Sequence, residues 1–172
     1  MKKLSRRDFL RLSGAAVLAV GMTGVLSGCD DSTSSSVQVK PFGAEIAVGD
    51  CVVTFLKVGG TRSAERGGLM QEVELSLKNG GAEFSLEKAD FEVKINKSRT
   101  LEISDVAKCD ANWRSVESGT IKCAKGETTN IRVWLKTQPH IDDVQDIQAS
   151  VTIHNKKVTA ATTKDKIKLG VG

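Results

Sequence analysis

The chain has 172 residues, with 25 lysines and arginines, 21 aspartates and glutamates, and a formal net charge of +4 at pH 7. This length accommodates one folded domain of ordinary size. The sequence contains no lysine- and arginine-rich block with interleaved aromatic residues. Its positive charge therefore does not indicate a nucleic-acid-binding protein.

The first 28 residues have the composition of an export signal. A pair of arginines precedes a mildly apolar stretch, residues 14–26, whose 13 residues include three glycines. A membrane-spanning helix needs about 20 predominantly apolar residues. The stretch is therefore predicted to be a cleaved signal peptide, not a permanent membrane helix.

Two motifs within this segment resemble known export signals. Arg6 and Arg7, followed by Phe9 and Leu10, resemble the twin-arginine signal, and Leu-Ser-Gly-Cys, which ends at Cys29, resembles the lipobox of bacterial lipoproteins. In that family the cysteine receives a diacylglycerol and becomes the mature N-terminus. The alternative is a Sec-exported lipoprotein whose basic region happens to contain Arg-Arg.

This resemblance implies the partners and the location of the chain. The partners are the twin-arginine translocase, the lipoprotein-processing enzymes and the membrane itself, which holds the protein by acyl chains such as palmitate. The location is the extracytoplasmic face of the bacterial cell membrane. Twin-arginine substrates cross that membrane already folded, so the domain is expected to fold in a reducing cytoplasm before any disulfide forms.

Cleavage before Cys29 changes the electrostatic interpretation. It removes five basic residues and one acidic residue, which leaves 20 of each and a formally neutral mature chain. Residues 30–36 read Asp-Asp-Ser-Thr-Ser-Ser-Ser and contain no side chain that can bury apolar surface. Residues 29–36 are thus predicted to be a lipidated cysteine and a disordered linker, and residues 37–172 to be the folded domain.

Hydrophobic residues recur with a period of two along this domain. The clearest strand is residues 69–78, where Val73, Leu75 and Leu77 share one face. Its opposite face carries polar side chains: Glu72, Glu74, Ser76 and Lys78. The strand ends at Asn-Gly-Gly, residues 79–81, which is a turn signal that tolerates positive φ.

The same alternation recurs in residues 50–58, 91–96, 129–136, 149–154 and 167–169. One short helical turn is predicted near residues 86–90. Six to eight short strands with glycine-containing or charged turns predict an all-β protein, an antiparallel immunoglobulin-like β-sandwich.

Several short motifs follow one another in a recognisable order. They are Lys-Asn-Gly-Gly at residues 78–81, Phe-Ser-Leu at 84–86, Ala-Asp-Phe at 89–91 and Lys-Gly-Glu at 125–127, the last entering a strand at 128–135. Over residues 48–136 the chain resembles the immunoglobulin-like, telokin-like domain of secreted bacterial lipoproteins of unknown function. This resemblance implies a fold, but no activity and no catalytic residues.

Three cysteines remain once Cys29 is assigned to lipid. A disulfide between Cys109 and Cys123 is favoured, with Cys51 buried and reduced; it would close a loop of about 15 residues and contribute about 3 kcal/mol. The alternative is that all three are buried thiols. A catalytic thiol is not favoured, since there is no Cys-x-x-Cys motif and no histidine adjacent in sequence to a cysteine.

The densest group of metal-ligating side chains lies between His140 and Asp146. Asp142, Asp143 and Asp146 offer hard oxygens suited to Ca²⁺, but their spacing does not match an EF-hand, and a solvated loop is the favoured interpretation. No glycine-rich phosphate loop, haem motif or iron–sulfur cysteine cluster is present in the sequence, so no cofactor is predicted.

Trp134 falls on the outward phase of its strand. It marks either a covered second face of the sheet, which is favoured, or a contact surface.

Two functions of different classes remain. The favoured one is a noncatalytic, membrane-tethered cell-envelope lipoprotein whose domain binds an unidentified protein, glycan or small ligand. The alternative is a metal-binding or thiol-dependent envelope enzyme or redox accessory. No nucleophile, base and orienting group can be argued together from this sequence, so the protein is not expected to be an enzyme.

Overall fold

A computed structural model describes residues 39–63 and 67–171. In this part of the chain the regular structure consists of β-strands and three 3₁₀ turns, Lys88–Asp90, Ile141–Asp143 and Lys164–Lys166, without an α-helix. The strands are β1 (Val39–Pro41), β2 (Glu45–Val48), β3 (Cys51–Ser63), β4 (Gly67–Asn79), β5 (Phe84–Leu86), β6 (Phe91–Ile95), β7 (Arg99–Leu101), β8 (Ile103–Cys109), β9 (Ser115–Ser118), β10 (Ile121–Cys123), β11 (Thr128–Leu135), β12 (Asp146–Ile153), β13 (Lys156–Thr163) and β14 (Lys168–Val171).

Two large sheets form the fold. The five-stranded sheet has the order β1-β13-β12-β6-β7; the seven-stranded sheet has the order β14-β3-β4-β11-β8-β9, with β2 also paired to β3. Strands β5 and β10 form a separate antiparallel pair. All other pairs are antiparallel except β1 with β13 and β14 with β3. The predicted all-β, largely antiparallel, immunoglobulin-like sandwich is confirmed.

The core lies between the two large sheets and follows from the alternation in the sequence. Val73 and Leu77 from β4 pack in one hydrophobic cluster with Val93 and Ile95 from β6, and each is at most 1% exposed. Burial of each such side chain stabilises the fold by about 1.5–3 kcal/mol. One face of each sheet is thus committed to the core, and the other is available for other contacts.

The N-terminal strand segment changes sheets at a corner. Strand β1 pairs with β13 of the five-stranded sheet, whereas β2 pairs with β3 of the seven-stranded sheet. Gly43 turns this corner at φ +87°, a conformation that favours glycine, and its N–H donates to the carbonyl of Phe55 at 2.7 Å. The ring of Phe42 packs 5.7 Å from that of Phe55, which fixes the crossing segment on the core.

The turn after β4 contains glycine for a reason different from the predicted one. Neither Gly80 nor Gly81 has a positive φ. A Cβ on Gly80 would lie 2.8 Å from the carbonyl oxygen of Asp50, so the glycine permits a close backbone approach. The buried Asn79 amide donates to the carbonyls of Ala82 and Cys123, each at 2.9 Å, and this joins the end of β4 to strand β10.

The structure has more strands than the six to eight predicted: fourteen are described. Strands such as β5, β7 and β10 contain three residues each, which are too few to show an alternating pattern. The predicted helical turn near residues 86–90 is present as the 3₁₀ turn Lys88–Asp90.

Candidate functional site

The residues predicted to direct export and lipidation, Arg6, Arg7, Phe9, Leu10 and Cys29, lie outside the described residues. Within the described part, no helix is long and apolar enough to span a bilayer.

The three cysteines of the domain are buried free thiols, and the predicted Cys109–Cys123 disulfide is not formed. Cys51 and Cys123 belong to the core cluster, whereas Cys109 is paired with Asn130 on the outer side of the seven-stranded sheet, away from Cys123. The structure therefore agrees with the alternative prediction, in which all three cysteines are buried thiols. Burial raises the pKa of all three, that of Cys123 to about 11.

The acidic segment after Pro139 is a loop that contains a 3₁₀ turn. Asp142 and Asp143 are exposed, and the Asp146 carboxylate accepts a hydrogen bond from the Lys97 amide at 3.0 Å. The backbone of His140 pairs with that of Leu69 in a single antiparallel β-bridge. Residues 39–63 and 67–171 contain no group of three or more side chains placed to hold a metal ion. The structure thus places Asp142 and Asp143 in a loop between His140, which contacts β4, and Asp146, which begins β12.

The outer face of the seven-stranded sheet carries a group of four charged side chains, here called the ion cluster: Lys57, Glu72, Glu74 and Arg132. Strand register makes neighbours of them, because Glu74 pairs with Lys57 on one side and with Arg132 on the other. Arg132 Nη2 donates to Glu74 Oε1 at 2.7 Å, and Arg132 Nε lies 3.2 Å from Glu72 Oε2. Lys57 Nζ lies 3.1 Å from Glu74 Oε2.

A β-bulge brings Lys57 into the ion cluster. Phe55 pairs with Leu75 and Lys57 pairs with Glu74, so Leu56 is the extra residue. The bulge reverses the facing of the following residues, which places Lys57 outward and Val58 in the core. Leu56 is left 41% exposed beside the cluster.

The carboxylates of the ion cluster are shielded from water although they lie on an outer face: the Glu72 side chain is 16% exposed, and the Lys57 side chain, which is 39% exposed, covers Glu74. Glu74 is 0% exposed. Burial raises the pKa of Glu72 above its usual range, against the lowering effect of Arg132. Desolvation thus outweighs the attraction of a nearby guanidinium at Glu72.

A cleft of about 540 Å³, here called the tryptophan cleft, adjoins the ion cluster. It is lined by Leu56, Lys57, Glu74, Trp113, Asp165, Lys166, Ile167 and Lys168. Its volume lies within the range of about 300–1,000 Å³ that is typical of small-molecule sites.

A strained turn holds Trp113 at this cleft. Trp113 has φ 61°, in the left-handed region that large side chains rarely adopt. The Asp110 carboxylate stabilises the turn, since its Oδ1 accepts hydrogen bonds from the amides of Asn112 and Arg114 at 2.8 and 2.9 Å. Strain retained at a cleft is a feature of functional sites.

The Glu74 carboxylate, which lines the tryptophan cleft, is paired with a basic side chain at each of its oxygens. Oε1 accepts a hydrogen bond from Arg132 at 2.7 Å, and Oε2 lies 3.1 Å from the Lys57 ammonium. The buried charge is thus compensated within the ion cluster.

A second cleft, of about 490 Å³, lies on the five-stranded sheet and is lined in part by Glu92, Ser150 and Lys157. Three of its polar lining residues are paired with neighbouring side chains. Glu92 forms ion pairs with Lys94 and Lys157, and the hydroxyl of Ser150 is hydrogen-bonded to that of Thr159 at 2.9 Å. The tryptophan cleft differs in having a partly exposed tryptophan, Trp113, in its lining, and is therefore the stronger candidate for a binding site.

Trp134 lies on the outer face, as predicted, since it pairs with Glu72 and Asp105 across the neighbouring strands. It is half-buried, and the Arg132 guanidinium lies 5.2 Å from the centre of its ring. Trp134 thus packs beside the ion cluster and is not among the lining residues of the cleft. Sequence reasoning singled out Trp134 and missed Trp113, whose one signal is the Asp-Ala-Asn turn directly before it.

The two large sheets define an immunoglobulin-like β-sandwich, and comparisons add little to that description. No protein-family model and no curated protein matches the sequence. An uncharacterized beta-sandwich protein from Clostridium difficile 630 is similar at 12% identity and a TM-score of 0.45, over 77% of this chain and 100% of that one. A secreted protein from Mycobacterium tuberculosis is similar at 10% identity and a TM-score of 0.46, over 76% and 99%. Likenesses this low bear on neither activity nor location.

Proposed function

We propose that this chain is a noncatalytic binding module, tethered by lipid at Cys29 to the extracytoplasmic face of a bacterial cell membrane. Its ligand binds in the tryptophan cleft. The observation that carries this proposal is the cleft of about 540 Å³ beside the ion cluster, in which a turn at φ 61° holds the partly exposed side chain of Trp113.

The chemistry of the described residues favours binding over catalysis. None of the described residues that line the tryptophan cleft is a serine, cysteine or histidine. Since burial raises the pKa of each domain thiol, little thiolate forms at neutral pH. A cleft with an aromatic wall and a few placed charges is the usual form of a binding site.

Lipid tethering is tested by metabolic labelling of cells with an alkyne analogue of palmitate. The wild-type chain is expected to take up label and to sediment with membranes, and Cys29→Ser is expected to do neither. Export is tested with Arg6→Lys/Arg7→Lys, which should leave the chain in the cytoplasm. Lys2→Arg/Lys3→Arg changes two other basic residues and is the matched control, expected to be exported normally. Equal labelling of wild type and Cys29→Ser would exclude the anchor.

Ligand binding in the cleft is tested by hydrogen exchange on the full chain, with and without an extract of the bacterial envelope. Amides in residues 110–114 and 164–168 are expected to become protected, because both segments contribute to the cleft. Trp113→Ala should abolish this protection, and Trp134→Ala should retain it. Absence of protection in both segments would exclude binding at this cleft.

A further inference from the structure

We propose that the ligand of the tryptophan cleft is a small organic anion, with a flat apolar body against Trp113 and a carboxylate or phosphate group beside Lys166 and Lys168. This inference rests on the proposed binding function and names its ligand class. It depends on three properties of the cleft, which are its balance of charge, the state of its lysines and its apolar walls.

The lining of the tryptophan cleft has an excess of positive charge. The ion cluster at its floor is balanced, because its two basic side chains are paired with its two carboxylates. Glu74 is 0% exposed and presents no surface to a ligand. The other charged lining residues are Lys166 and Lys168, against one carboxylate, Asp165. A cleft lined by an excess of one sign of charge attracts ligands of the opposite sign.

Lys166 and Lys168 are exposed and can pair with a ligand. Within residues 39–63 and 67–171, neither ammonium forms an ion pair with a carboxylate. A lysine ammonium is a compact charge with three rotatable donors, so it pairs with a carboxylate or with a phosphate. The two anionic groups share this chemistry, and the test below separates them.

The walls of the cleft supply apolar surface beside these lysines. Trp113, the exposed Leu56 and the half-buried Ile167 line the same space. Aromatic side chains dominate the energetics of such contacts and stack against flat rings in offset or edge-to-face arrangements. An inorganic anion would leave this surface in water, whereas an anion with a flat apolar body covers it.

The test is a calorimetric titration of the full chain in an uncharged detergent, corrected for titration of the detergent alone. Three probes share one ring system and differ in charge: naphthylacetate is an anion, naphthylacetamide is neutral and naphthylethylamine is a cation. The anion is expected to bind with a dissociation constant about 3- to 10-fold below that of the amide, and the amine is expected to bind most weakly.

Further probes identify the anionic group and the part played by the ring. Acetate and inorganic phosphate lack the ring, and each is expected to bind about 10-fold or more weakly than naphthylacetate and naphthyl phosphate respectively. Tighter binding of naphthyl phosphate than of naphthylacetate assigns the phosphate, and the reverse order assigns the carboxylate. Either order supports an organic anion.

Variants separate the two parts of the site. Lys166→Gln/Lys168→Gln is expected to weaken binding of the anion about 3- to 10-fold and to change binding of the amide less than about 2-fold. Trp113→Ala is expected to weaken binding of both about 10-fold. Lys122→Gln/Lys125→Gln removes two exposed lysines that do not line the cleft and is the matched control, expected to bind both probes as wild type does. Thermal melting of each variant checks that it is folded.

Three outcomes would overturn the inference. The first is binding of the amide or the amine at least as tight as that of the anion, and the second is binding of the anion that Lys166→Gln/Lys168→Gln does not weaken. If no probe binds while the envelope extract still protects residues 110–114 and 164–168, the binding function stands and the organic anion is the wrong class. If the extract also gives no protection, the binding function itself fails.

Discussion

The outer faces of the two sheets both pair glutamates with basic side chains, yet in opposite surroundings. On the five-stranded sheet, Glu92 contacts Lys94 and Lys157, and the three side chains are 32–41% exposed. On the seven-stranded sheet, Glu74 contacts Lys57 and Arg132, whose side chains are 39% and 16% exposed, and is itself 0% exposed. The first group is a solvated surface network, and in the second the carboxylate is buried and one of its two cations faces solvent.

The pKa values of the glutamates on the two faces show the same contrast. Hydrogen bonding to Lys157 lowers the pKa of Glu92, whereas burial raises that of Glu72 although Arg132 lies beside it. Buried ion pairs are weak contributors to stability, because desolvation offsets their attraction. Removal of one partner from a buried ion pair is nevertheless strongly destabilising, because it leaves the other charge uncompensated.

The largest expected effect is that of Arg132→Met. It removes the hydrogen bond to Glu74 and the nearest cation of Glu72, which leaves buried carboxylates without a guanidinium. We expect the free energy of unfolding to fall by about 3–5 kcal/mol in urea denaturation. Lys94→Met on the other face is the control, with an expected loss of about 0–1 kcal/mol. Equal losses for the two variants would mean that the ion cluster is not desolvated.

Gly59→Ala is expected to have the next largest effect. A Cβ there would lie 2.7 Å from Glu72 Cγ, so the Glu72 side chain must leave its place beside Arg132. We expect a loss of about 1–3 kcal/mol in urea denaturation. In a Glu72→Ala background the same substitution should cost less, since the clash is gone. An equal cost in both backgrounds would rule out Glu72 as the cause.

Glu72 and Glu92 should make opposite contributions to the pH dependence of stability. The pKa of Glu72 is raised from 4.5, so the folded chain holds a proton that the unfolded chain releases. The stability of wild type relative to Glu72→Gln should therefore fall as the pH rises through the window above 4.5. The pKa of Glu92 is lowered, so stability relative to Glu92→Gln should fall as the pH drops below 4.5. Urea denaturation between about pH 3 and 7 measures both dependences. If stability changed with pH in the same direction for Glu72 and Glu92, the opposite pKa shifts of the two residues would be contradicted.

The smallest expected effect is that of Lys157→Met, which removes one surface partner of Glu92. We expect a loss of about 0–1 kcal/mol at low salt that disappears near 1 M salt, where the screening length is about 3 Å. Denaturation in urea at low and high salt measures it. A loss that persists at high salt would show that this network is as buried as the ion cluster.

The sequence predicted the sandwich and the facing of its main strands, but not the site. Alternation in β4 correctly separates Val73, Leu75 and Leu77 from Glu72 and Glu74. It assigns both glutamates to the solvent side, because it does not show what covers that side. The residues that line the cleft beside Glu74 come from distant positions, Trp113 in one turn and Lys166 near the C-terminus.

The disulfide prediction failed for a related reason. The separation of Cys109 and Cys123 in sequence suits a loop closure, but loop length carries no information about the facing of the two side chains. Cys109 occupies the outer phase of β8, paired with Asn130, and Cys123 lies in the core. Strand register, which depends on pairing between distant segments, decided the outcome.

NMR of the indole N–H groups separates the two tryptophan environments directly, since the chain has two tryptophans. Trp113 lines the cleft and Trp134 packs against Arg132 outside it. Titration of the full chain with the envelope extract is expected to shift the Trp113 signal and to leave the Trp134 signal in place. A shift confined to Trp134, or no shift of either signal at the highest extract concentration, would contradict a binding site in the tryptophan cleft.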